Sequence, residues 1–449
     1  MQPIKNSIYK VEITGYTSEG LGVCKIEDFV VFVNNAVKGD IAEIKIVKVT
    51  KKIAYGIITT ILIPSVNRIS PECQVSQKCG GCSLWHMSYD EELEFKREKV
   101  ENVLKRVGKV DCDVKGIVAS NNTLHYRNKA QYPVSNVDGQ AIFGFYRKNS
   151  HDIVENDNCL IQTKKSNEIA KFITDFLNLH KISAYDEKKH KGVVRHIYTR
   201  VGFKSNEIML CLVVTSFNFP KIDVLCDDLK EKFPQITTFI LNKNDRQTNQ
   251  ILGEQYKIIF GCGEIKDEIC DNTFNIAPQS FYQINRDSAE QLYEKAIEFC
   301  SFTGEETVLD MYCGVGTITL AVAKHVRKVN GIEIIPEAIK NAKNNAKYND
   351  IDNAEFIVGD AKDAVKCFEN QKIDVIIVDP PRKGLDIDTV QSIIKINPQK
   401  ICYVSCDPAT LARDIKMFSE SGYTTEKAVA FDLFPRTFHV ETVCLLSKP

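Results

Sequence analysis

A cysteine and a late glutamate are the residues of this sequence best suited to nucleophilic and acid–base chemistry. Cys406 follows the apolar run 400–405 and precedes Asp407, where a helix is expected to begin. This places Cys406 at the carboxyl end of a strand, where open parallel α/β sheets bind ligands. Glu441, in a His-Val-Glu-Thr motif, is a carboxylate that could serve as an acid–base partner. On the first stretch alone, a half-buried structural thiol is the more common role of a free cysteine.

A glycine loop and two acids indicate a cofactor site at the same edge of the sheet. The loop Cys313-Gly-Val-Gly316 follows an apolar run, and Glu333 lies seventeen positions after Gly316. An acid at that distance commonly accepts hydrogen bonds from ribose hydroxyls. The loop lacks the third glycine of the dinucleotide pattern, which favours S-adenosylmethionine, a cofactor without phosphates. Asp379 opens Asp-Pro-Pro-Arg382, whose prolines impose an extended exit from the strand before it.

Four cysteines have a spacing that indicates an inorganic site. Cys73, Cys79 and Cys82 fall within ten residues, and Cys159 follows much later. Zinc ribbons favour two C-x2-C pairs, whereas this set has one such pair, one C-x5-C pair and a distant member. Two glycines before Cys82 would let the backbone approach a bulky group. The pattern therefore favours a [4Fe-4S] cluster with all four irons ligated, structural or RNA-positioning, over zinc and over unligated core thiols.

The elements that must position these residues fall into three predicted segments of a multidomain α/β protein. We predict a small β-barrel over residues 1–60, a central α+β domain with the cluster over 61–280, and a Rossmann-like methyltransferase domain over 281–449. Length supports this division, since 449 residues exceed what one core usually holds.

Short β-prone runs separated by turn signals predict the barrel. They cover residues 9–14, 23–26, 29–33, 41–47 and 54–60. A lysine-rich patch accompanies them, formed by Lys38, Lys45, Lys48, Lys51 and Lys52. The glycine pattern from Gly15 to Asp40 resembles the TRAM module, a small RNA-binding barrel.

Strands alternate with helical intervals in the C-terminal third, which predicts a twisted, largely parallel sheet. The apolar runs are 307–312, 329–334, 355–358, 374–378 and 400–405. An amphipathic helix is expected over residues 285–300, with Asn285 as its cap.

Composition limits the partners and the compartment. Sixteen cysteines without a secretion signal point to a reducing cytoplasm, and no apolar run is long enough to cross a membrane. The net charge of −1 gives no global attraction to nucleic acid, so RNA must be held by local patches. Basic and aromatic residues alternate in 126–133, 143–148 and 194–200, which suits looped RNA, although a wet sheet face explains them equally well. We expect a monomer.

Six motifs together resemble the RNA uracil-5-methyltransferase family over nearly the whole chain. They are the four cysteines, Ser280–Asn285, Asp310–Gly316, Asp379–Gly384, Ser405–Pro408 and His439–Thr442. The sequence is most similar to the cluster-containing branch that methylates 23S ribosomal RNA. The alternative within the family is the T-loop uridine of transfer RNA.

The resemblance implies a role for each motif. Cys406 matches the nucleophile and Glu441 the general base of the family. The residues expected to contact S-adenosylmethionine are Gln283, Tyr312, Glu333 and Asp379, with Asp360 near the adenine. The four cysteines match the cluster ligands.

The chemistry explains why a thiol and a carboxylate are needed. Carbon 5 of uracil is too electron-poor to attack a methyl sulfonium, and addition of a thiolate to carbon 6 makes it nucleophilic. Cys406 would supply that addition, with the amino end of the following helix expected to raise its ionised fraction. Glu441 would then remove the carbon 5 proton and expel the cysteine.

Two other classes of function compete with this interpretation. One is methylation of an exocyclic amine or of cytosine. The arginine at position 382 disfavours the amine, because adenine amino-methyltransferases usually carry an aromatic residue there. The other is a non-enzymatic iron–sulfur protein that binds RNA.

Overall fold

The N-terminal strands form one curled six-stranded sheet. The computed structural model describes residues 2–110, 114–368 and 371–448. The strands are β1 (Ile8–Glu12), β2 (Gly15–Tyr16), β3 (Gly22–Ile26), β4 (Phe29–Asn34), β5 (Ile41–Val49) and β6 (Ile53–Ile63), in the order β1-β5-β6-β4-β3-β2. Alternate residues such as Val31, Ile44 and Ala54 are buried, as expected for strands that cover a core on one face.

A helix and a strand connect this barrel to the rest of the chain. Helix α1 (Tyr89–Val103) begins at Ser88, whose side chain accepts a hydrogen bond from the Glu91 amide. One π-helical turn (Leu104–Gly108) extends it. Strand β7 (Val114–Val118) then pairs with a strand of the C-terminal sheet.

The middle of the chain forms a seven-stranded sheet and a hairpin. Its elements are β8 (Lys129–Val137), β9 (Gln140–Tyr146), β10 (Ile153–Glu155), α2 (Lys164–Leu179), β11 (Val194–Val201), β12 (Ile208–Val214), α3 (Ile222–Lys232), β13 (Ile236–Lys243) and β14 (Gln255–Phe260). The strand order is β10-β9-β8-β11-β12-β13-β14. The hairpin of β15 (Ile265–Ile269) and β16 (Asn272–Ile276) shares a core with the C-terminal helices.

The C-terminal part is an eight-stranded sheet with alternating helices. Its elements are α4 (Arg286–Cys300), β17 (Thr307–Met311), α5 (Thr317–Ala323), β18 (Lys328–Glu333), α6 (Pro336–Tyr348), β19 (Ala354–Val358), a 3-10 turn (Ala361–Asp363), α7 (Ala364–Cys367), β20 (Val375–Val378), α8 (Ile387–Ile396), β21 (Lys400–Ser405), α9 (Pro408–Ser419), β22 (Thr424–Phe431) and β23 (Glu441–Ser447). The strand order is β19-β18-β17-β20-β21-β23-β22-β7. The first five of these are parallel, and β23 runs antiparallel between β21 and β22.

The local predictions of strands and of the helix cap are confirmed, and the division into three segments stays a prediction. All five predicted barrel strands and all five C-terminal strands form, and Asn285 caps α4. However, β6 continues to Ile63, and α1 and β7, from within 61–280, pack on the C-terminal sheet. Strand β7 satisfies the backbone groups that would otherwise be unpaired along β22. Among the described residues, no helix is long and apolar enough to span a membrane.

Candidate active site and cysteine-lined cavity

Strand register places Cys406 beside Glu441. Ser405 lies opposite Thr442 in the antiparallel pair β21–β23, and it is the last paired residue of β21. Cys406 and Glu441 are the next residues along each strand toward the carboxyl edge of the sheet. Glu441 is only 6% exposed, while Cys406 is half-buried and reachable from the edge. The two predicted catalytic residues therefore meet at the predicted place.

The thiol is held in its protonated form by its surroundings. Burial, followed by the nearby acids Glu441 and Asp379, raises the pKa of Cys406 to about 12, and only Arg382 opposes the shift appreciably. The expectation that the helix amino end would favour the thiolate is therefore wrong. The main reason is burial of the thiol, and the negative charges of Glu441, Asp379 and Asp407 add to it.

The amides at the start of α9 are already engaged. The Asp407 carboxylate accepts hydrogen bonds from the backbone N–H groups of Ala409 (2.8 Å) and Thr410 (3.4 Å). This carboxylate cancels much of the positive end of the helix dipole that a neighbouring thiolate would use. A thiolate at Cys406 must therefore draw its stabilisation from another cation.

Three carboxyl groups lie near one another, since the charge of Asp379 acts on both Glu441 and Asp310. Burial, with a contribution from Asp379, raises the pKa of Glu441 to about 8, and Arg382 opposes it. Burial raises the pKa of Asp379 to about 7. Asp310, on β17, also has its pKa raised to about 7 by burial, although Thr319 donates a hydrogen bond to it. A set of buried carboxyl groups of this kind favours the binding of a positively charged ligand.

The glycine loop follows β17 and is held against the end of β18. The backbone N–H groups of Tyr312 and Cys313 both donate to the Ile332 carbonyl, at 3.0 and 3.1 Å. Tyr312 adopts φ 71°, an uncommon conformation for a non-glycine residue, which turns the chain sharply after the strand. At Gly316, φ is 89° and a Cβ would lie 3.2 Å from the Phe356 ring. The loop geometry therefore requires glycine there.

Glu333 and Asp360 lie at the ends of neighbouring strands. The Glu333 carboxylate accepts hydrogen bonds from the amides of Gly314 (3.3 Å) and Ile335 (3.0 Å), which fixes it beside the loop. Asp360 caps the 3-10 turn and forms an ion pair with Lys362 at 2.9 Å, which lowers its pKa. Negative charge at Asp360 also contributes to the raised pKa of Tyr312, which is due mainly to burial. These three predicted residues therefore line one edge.

Gln283 reaches the same region from the strand-free stretch before α4. Its backbone carbonyl accepts a hydrogen bond from the Asn128 side chain at 2.8 Å, which ties it to the central sheet. Tyr293 of α4 is fully buried, and its hydroxyl is 3.4 Å from that of Thr317 at the start of α5. Burial and the charge of Asp379 raise the pKa of Tyr293. Gln283 also lies close to Tyr293, which connects the central sheet to the surroundings of Asp379.

Sequence reasoning assigned no role to several residues that border this edge. The positive charge of Arg382 acts to lower the pKa of both Cys406 and Glu441. Its position directly after two prolines at the end of a strand could have indicated a place in the site. Phe281 is 68% exposed, and an aromatic ring exposed beside such a pocket can stack an unpaired base. Tyr293 was expected only as part of an apolar helix face.

The four predicted cysteines line one cavity of about 150 Å³. Cys73, Cys79, Cys82 and Cys159 share it with Trp85, Phe145 and other apolar residues. Burial raises the pKa of all four thiols, to about 11 for Cys159. The Gly81 amide donates to the Cys79 sulfur at 3.4 Å. The Trp85 side chain lies close to Cys82, and its buried Nε1 has no hydrogen-bond partner among the described residues.

The thiols surround this cavity without converging on a point. No group of three or more His, Cys, Asp or Glu in the described parts of the chain is placed to hold a single metal ion. A tetrahedral zinc with bonds of about 2.3 Å would need its sulfurs to converge closely.

Two family models match this chain, and several relatives are similar to it over nearly its whole length. The family model described as tRNA (Uracil-5-)-methyltransferase matches residues 88–449, and the TRAM domain model matches residues 5–59. An uncharacterized RNA methyltransferase of Clostridium tetani is 42% identical over 99% of this chain and 97% of its own. One of Caldanaerobacter subterraneus is 43% identical over 98% of both chains.

A solved structure shares the whole architecture. The tRNA (uracil-54, C5)-methyltransferase of Pyrococcus abyssi, in complex with S-adenosyl-L-homocysteine, superposes with a TM-score of 0.79 at 30% identity. The match covers 98% of this chain and 100% of that one.

Proposed function

The chain belongs to the tRNA (uracil-5-)-methyltransferase family, with an N-terminal TRAM domain, and is an S-adenosylmethionine-dependent RNA uracil-5-methyltransferase. We propose that its substrate is a uridine in 23S ribosomal RNA. We propose further that carbon 5 is methylated through a covalent cysteine–uracil adduct. The observation that carries the adduct is the placement of Cys406 next to Glu441 at the end of β21 and the start of β23. A nucleophile and a buried base with a pKa near 8 are what such a reaction needs.

The acidic pocket fits a cationic cofactor. Glu333 would accept hydrogen bonds from ribose hydroxyls, and Asp379, Tyr312 and Gln283 are the other residues that would hold S-adenosylmethionine, with Asp360 near the adenine. When bound, the cofactor supplies an electrophilic methyl group. Its positive charge would favour the ionised forms of Asp379 and Asp310, whose pKa values burial raises.

Cys406 and Glu441 divide the chemistry between them. The Cys406 thiolate forms a bond to carbon 6 of uracil, and the electron pair of the 5,6 double bond becomes available at carbon 5. After carbon 5 has received the methyl group, the Glu441 carboxylate takes its proton. The electron pair left behind restores the double bond and breaks the carbon–sulfur bond. The base must be unstacked to admit both groups, which favours a loop uridine.

The thiol needs help to ionise. Its pKa near 12 leaves little thiolate at neutral pH in the protein alone. Arg382 is the cation already close to it, and a bound sulfonium beside Asp379 would act in the same direction. Cofactor binding would therefore activate Cys406 as well as supply the methyl group.

We propose that Cys73, Cys79, Cys82 and Cys159 hold a [4Fe-4S] cluster. The supporting observations are the common cavity of about 150 Å³, the Trp85 side chain beside the Cys82 sulfur and the N–H group of Gly81 aimed at the Cys79 sulfur. Hydrogen bonds to sulfur and an apolar shell are the means by which proteins tune such clusters.

The choice of 23S ribosomal RNA rests on the cysteine set, through the resemblance to the cluster-containing branch. Transfer RNA is the second candidate, because the Pyrococcus abyssi protein, similar over the whole chain, is named for uracil-54 of tRNA. We propose action as a monomer in the cytoplasm.

Incubation of the purified protein with labelled S-adenosylmethionine and RNA from a strain that lacks the gene tests the substrate. Digestion to nucleosides should yield labelled 5-methyluridine, mapped to 23S RNA, and none with the Cys406→Ala variant. Label in transfer RNA would select the second candidate. Label in methylcytidine or a methylated amine, or no label at all, would overturn the proposal.

A further inference from the structure

The segment that leads into Glu441 is irregular, yet it is buried and tightly held. Residues 432–440, all described, join β22 to β23 without a helix or strand. Asp432, Arg436 and Val440 are buried within it. An irregular buried segment needs partners for its backbone polar groups, so the partners of this one define its position.

Lys96 of α1 is the first partner. Its side chain is fully buried and its ammonium donates to Glu92 Oε1 (2.7 Å), Asp432 Oδ1 (2.6 Å) and the Phe434 carbonyl (3.2 Å). The Tyr89 hydroxyl donates to the other Asp432 oxygen at 2.8 Å. Three acceptors around one buried ammonium fix the position and the orientation of the Lys96 side chain. Removal of one acceptor would leave an uncompensated buried charge.

Arg436 is the second point of attachment. Its backbone N–H donates to Glu92 Oε1 at 2.7 Å, and its carbonyl accepts from the amides of Ser83 (2.9 Å) and Leu84 (3.1 Å). The Phe438 amide donates to Ser83 Oγ at 3.2 Å. The backbone of Arg436 is thus clamped between α1 and the residues that directly follow Cys82.

The Arg436 side chain continues this link toward the cysteine cavity. Its guanidinium lies 4.9 Å from the centre of the Trp85 ring and 5.7 Å from that of Tyr89, and Nη1 is 3.7 Å from Glu92. Trp85 lines the cavity together with Cys82. Arg436 adopts φ 68°, a backbone conformation that its surroundings must stabilise. One residue therefore joins the cysteine cavity, α1 and the segment before Glu441.

We propose that Lys96 and Arg436 are positioning residues for Glu441, because they hold segment 432–440 in place. The Cys82–Trp85 stretch holds segment 432–440 from the side of the cysteine cavity. This inference rests on the proposed function, in which Glu441 is the base. Cys406 is attached through β21 and α9, outside this segment. Loosening the segment should therefore slow the proton abstraction that releases the RNA, and leave methyl transfer to carbon 5 intact.

Two variants of the full-length protein test the positioning role. Arg436→Lys keeps the charge and the backbone contacts but loses the flat guanidinium over Trp85, and Lys96→Met removes the buried ammonium. Arg246→Lys and Lys165→Met, at exposed ion pairs on the central sheet and α2, are the matched controls. Cys82→Ser is compared with Cys262→Ser, an exposed cysteine.

Two readouts are measured for each variant. Hydrogen–deuterium exchange reports on residues 432–440 without reference to activity, and a single turnover with labelled cofactor separates methyl transfer from release of the covalent adduct. Arg436→Lys, Lys96→Met and Cys82→Ser should exchange faster in 432–440 and release RNA up to about a hundredfold more slowly, since small misplacements of a reacting group cost that much. Methyl transfer should keep its rate.

Unchanged exchange in 432–440 for Arg436→Lys, or an equal loss of methyl transfer and release, would overturn the inference even if Lys96→Met failed to fold. The proposed function fails separately. If Glu441→Gln forms no adduct, the base assignment is wrong. If Glu441→Gln accumulates adduct while Arg436→Lys releases RNA at the normal rate, only the positioning role is wrong.

Discussion

Cys406 and Glu441 stand one residue beyond the last pair, Ser405 and Thr442, of two antiparallel strands in an otherwise mostly parallel sheet. Because the antiparallel strand enters the sheet from the edge where the parallel strands end, its first residue faces the catalytic edge. The base can therefore come from a strand start and the nucleophile from a strand end. Backbone pairing sets the register of the two residues, and the buried segment 432–440 holds the start of β23, where Glu441 lies.

The pH dependence of adduct release should report on Glu441. A carboxyl group acts as a base only when ionised, and the raised pKa of about 8 means that ionisation occurs as the pH rises through that value. The single-turnover rate of release should therefore increase between about pH 6 and about pH 9 and then level off, as expected for one titrating base. A release rate independent of pH over that range would contradict the assignment.

Arg382 provides the matched test of that pKa. Its positive charge lowers the pKa of Glu441, so Arg382→Met should move the rise in release rate to higher pH. Arg382→Lys keeps the charge and should shift the profile much less. The same loss of charge should raise the pKa of the Cys406 thiol and slow adduct formation.

The positions of strands and the edge that carries the site follow from local sequence patterns. Apolar runs ending at Ser405 and Met311, and the Asn285 cap, need only neighbours in sequence to be recognised. The protonated state of Cys406 could not be predicted in the same way. It depends first on burial of the thiol in the folded chain, and then on Glu441 and Asp379, which lie 35 and 27 positions away in the sequence and meet it only in the sheet.

Long-range pairing also joins parts of the chain that the predicted division places in different segments. Strand β7 pairs with residues 428–431 of β22, more than 300 positions later, and no local pattern in 114–118 distinguishes this partner from the nearer central sheet. The Lys96–Asp432 ion pair also joins distant parts of the sequence. The helix pattern alone does not predict it, since a lysine on an amphipathic helix is ordinarily solvated. Both features became visible only with the tertiary structure.

The lysine patch of the barrel should bind RNA and leave cofactor binding unaffected. Lys48, Lys51 and Lys52 are exposed on β5 and the turn after it, away from the catalytic edge. Their joint substitution by Ala should weaken RNA binding and reduce its salt dependence by about 0.7 in log–log slope for each phosphate that these lysines neutralise. Binding of S-adenosylhomocysteine, measured calorimetrically, should not change.

A triple substitution to Arg is the control, because it preserves the charge. Substitution within the folded barrel is a sharper test than deletion of residues 1–60, which would cut β6 (Ile53–Ile63) and uncover Phe95 on α1. Equal loss of RNA and cofactor binding in the Ala variant would show that the barrel is not a separate binding module.

The cysteine cavity should contain iron and sulfide. Protein purified without oxygen should be brown and carry about four irons and four sulfides per chain, as a fully ligated cluster requires. Cys159→Ser should lose most of this iron, while Cys262→Ser, outside the cavity, should retain it. A colourless anaerobic preparation with one zinc per chain would contradict the cluster.

Substitutions of Cys406 and Glu441 should fail at different steps. Cys406→Ala removes the nucleophile, so neither methylated RNA nor a covalent adduct should form. Glu441→Gln keeps the shape and hydrogen-bonding capacity of the side chain but cannot accept the proton. Loss of a general base typically slows its step on the order of a hundred- to ten-thousandfold, enough for the methylated adduct to accumulate in one turnover.

The expected result is a denaturation-resistant protein–RNA band for Glu441→Gln that carries label from S-adenosylmethionine and is missing from Cys406→Ala and from the double variant.

Glu441→Asp is the informative intermediate, since it retains a carboxylate but draws it back by one methylene. It should release RNA faster than Glu441→Gln if proton abstraction limits release. A band that persists in the double variant would assign the covalent bond to another residue, and normal turnover by Glu441→Gln would assign the base elsewhere. Either result would return Cys406 to the role of a half-buried structural thiol.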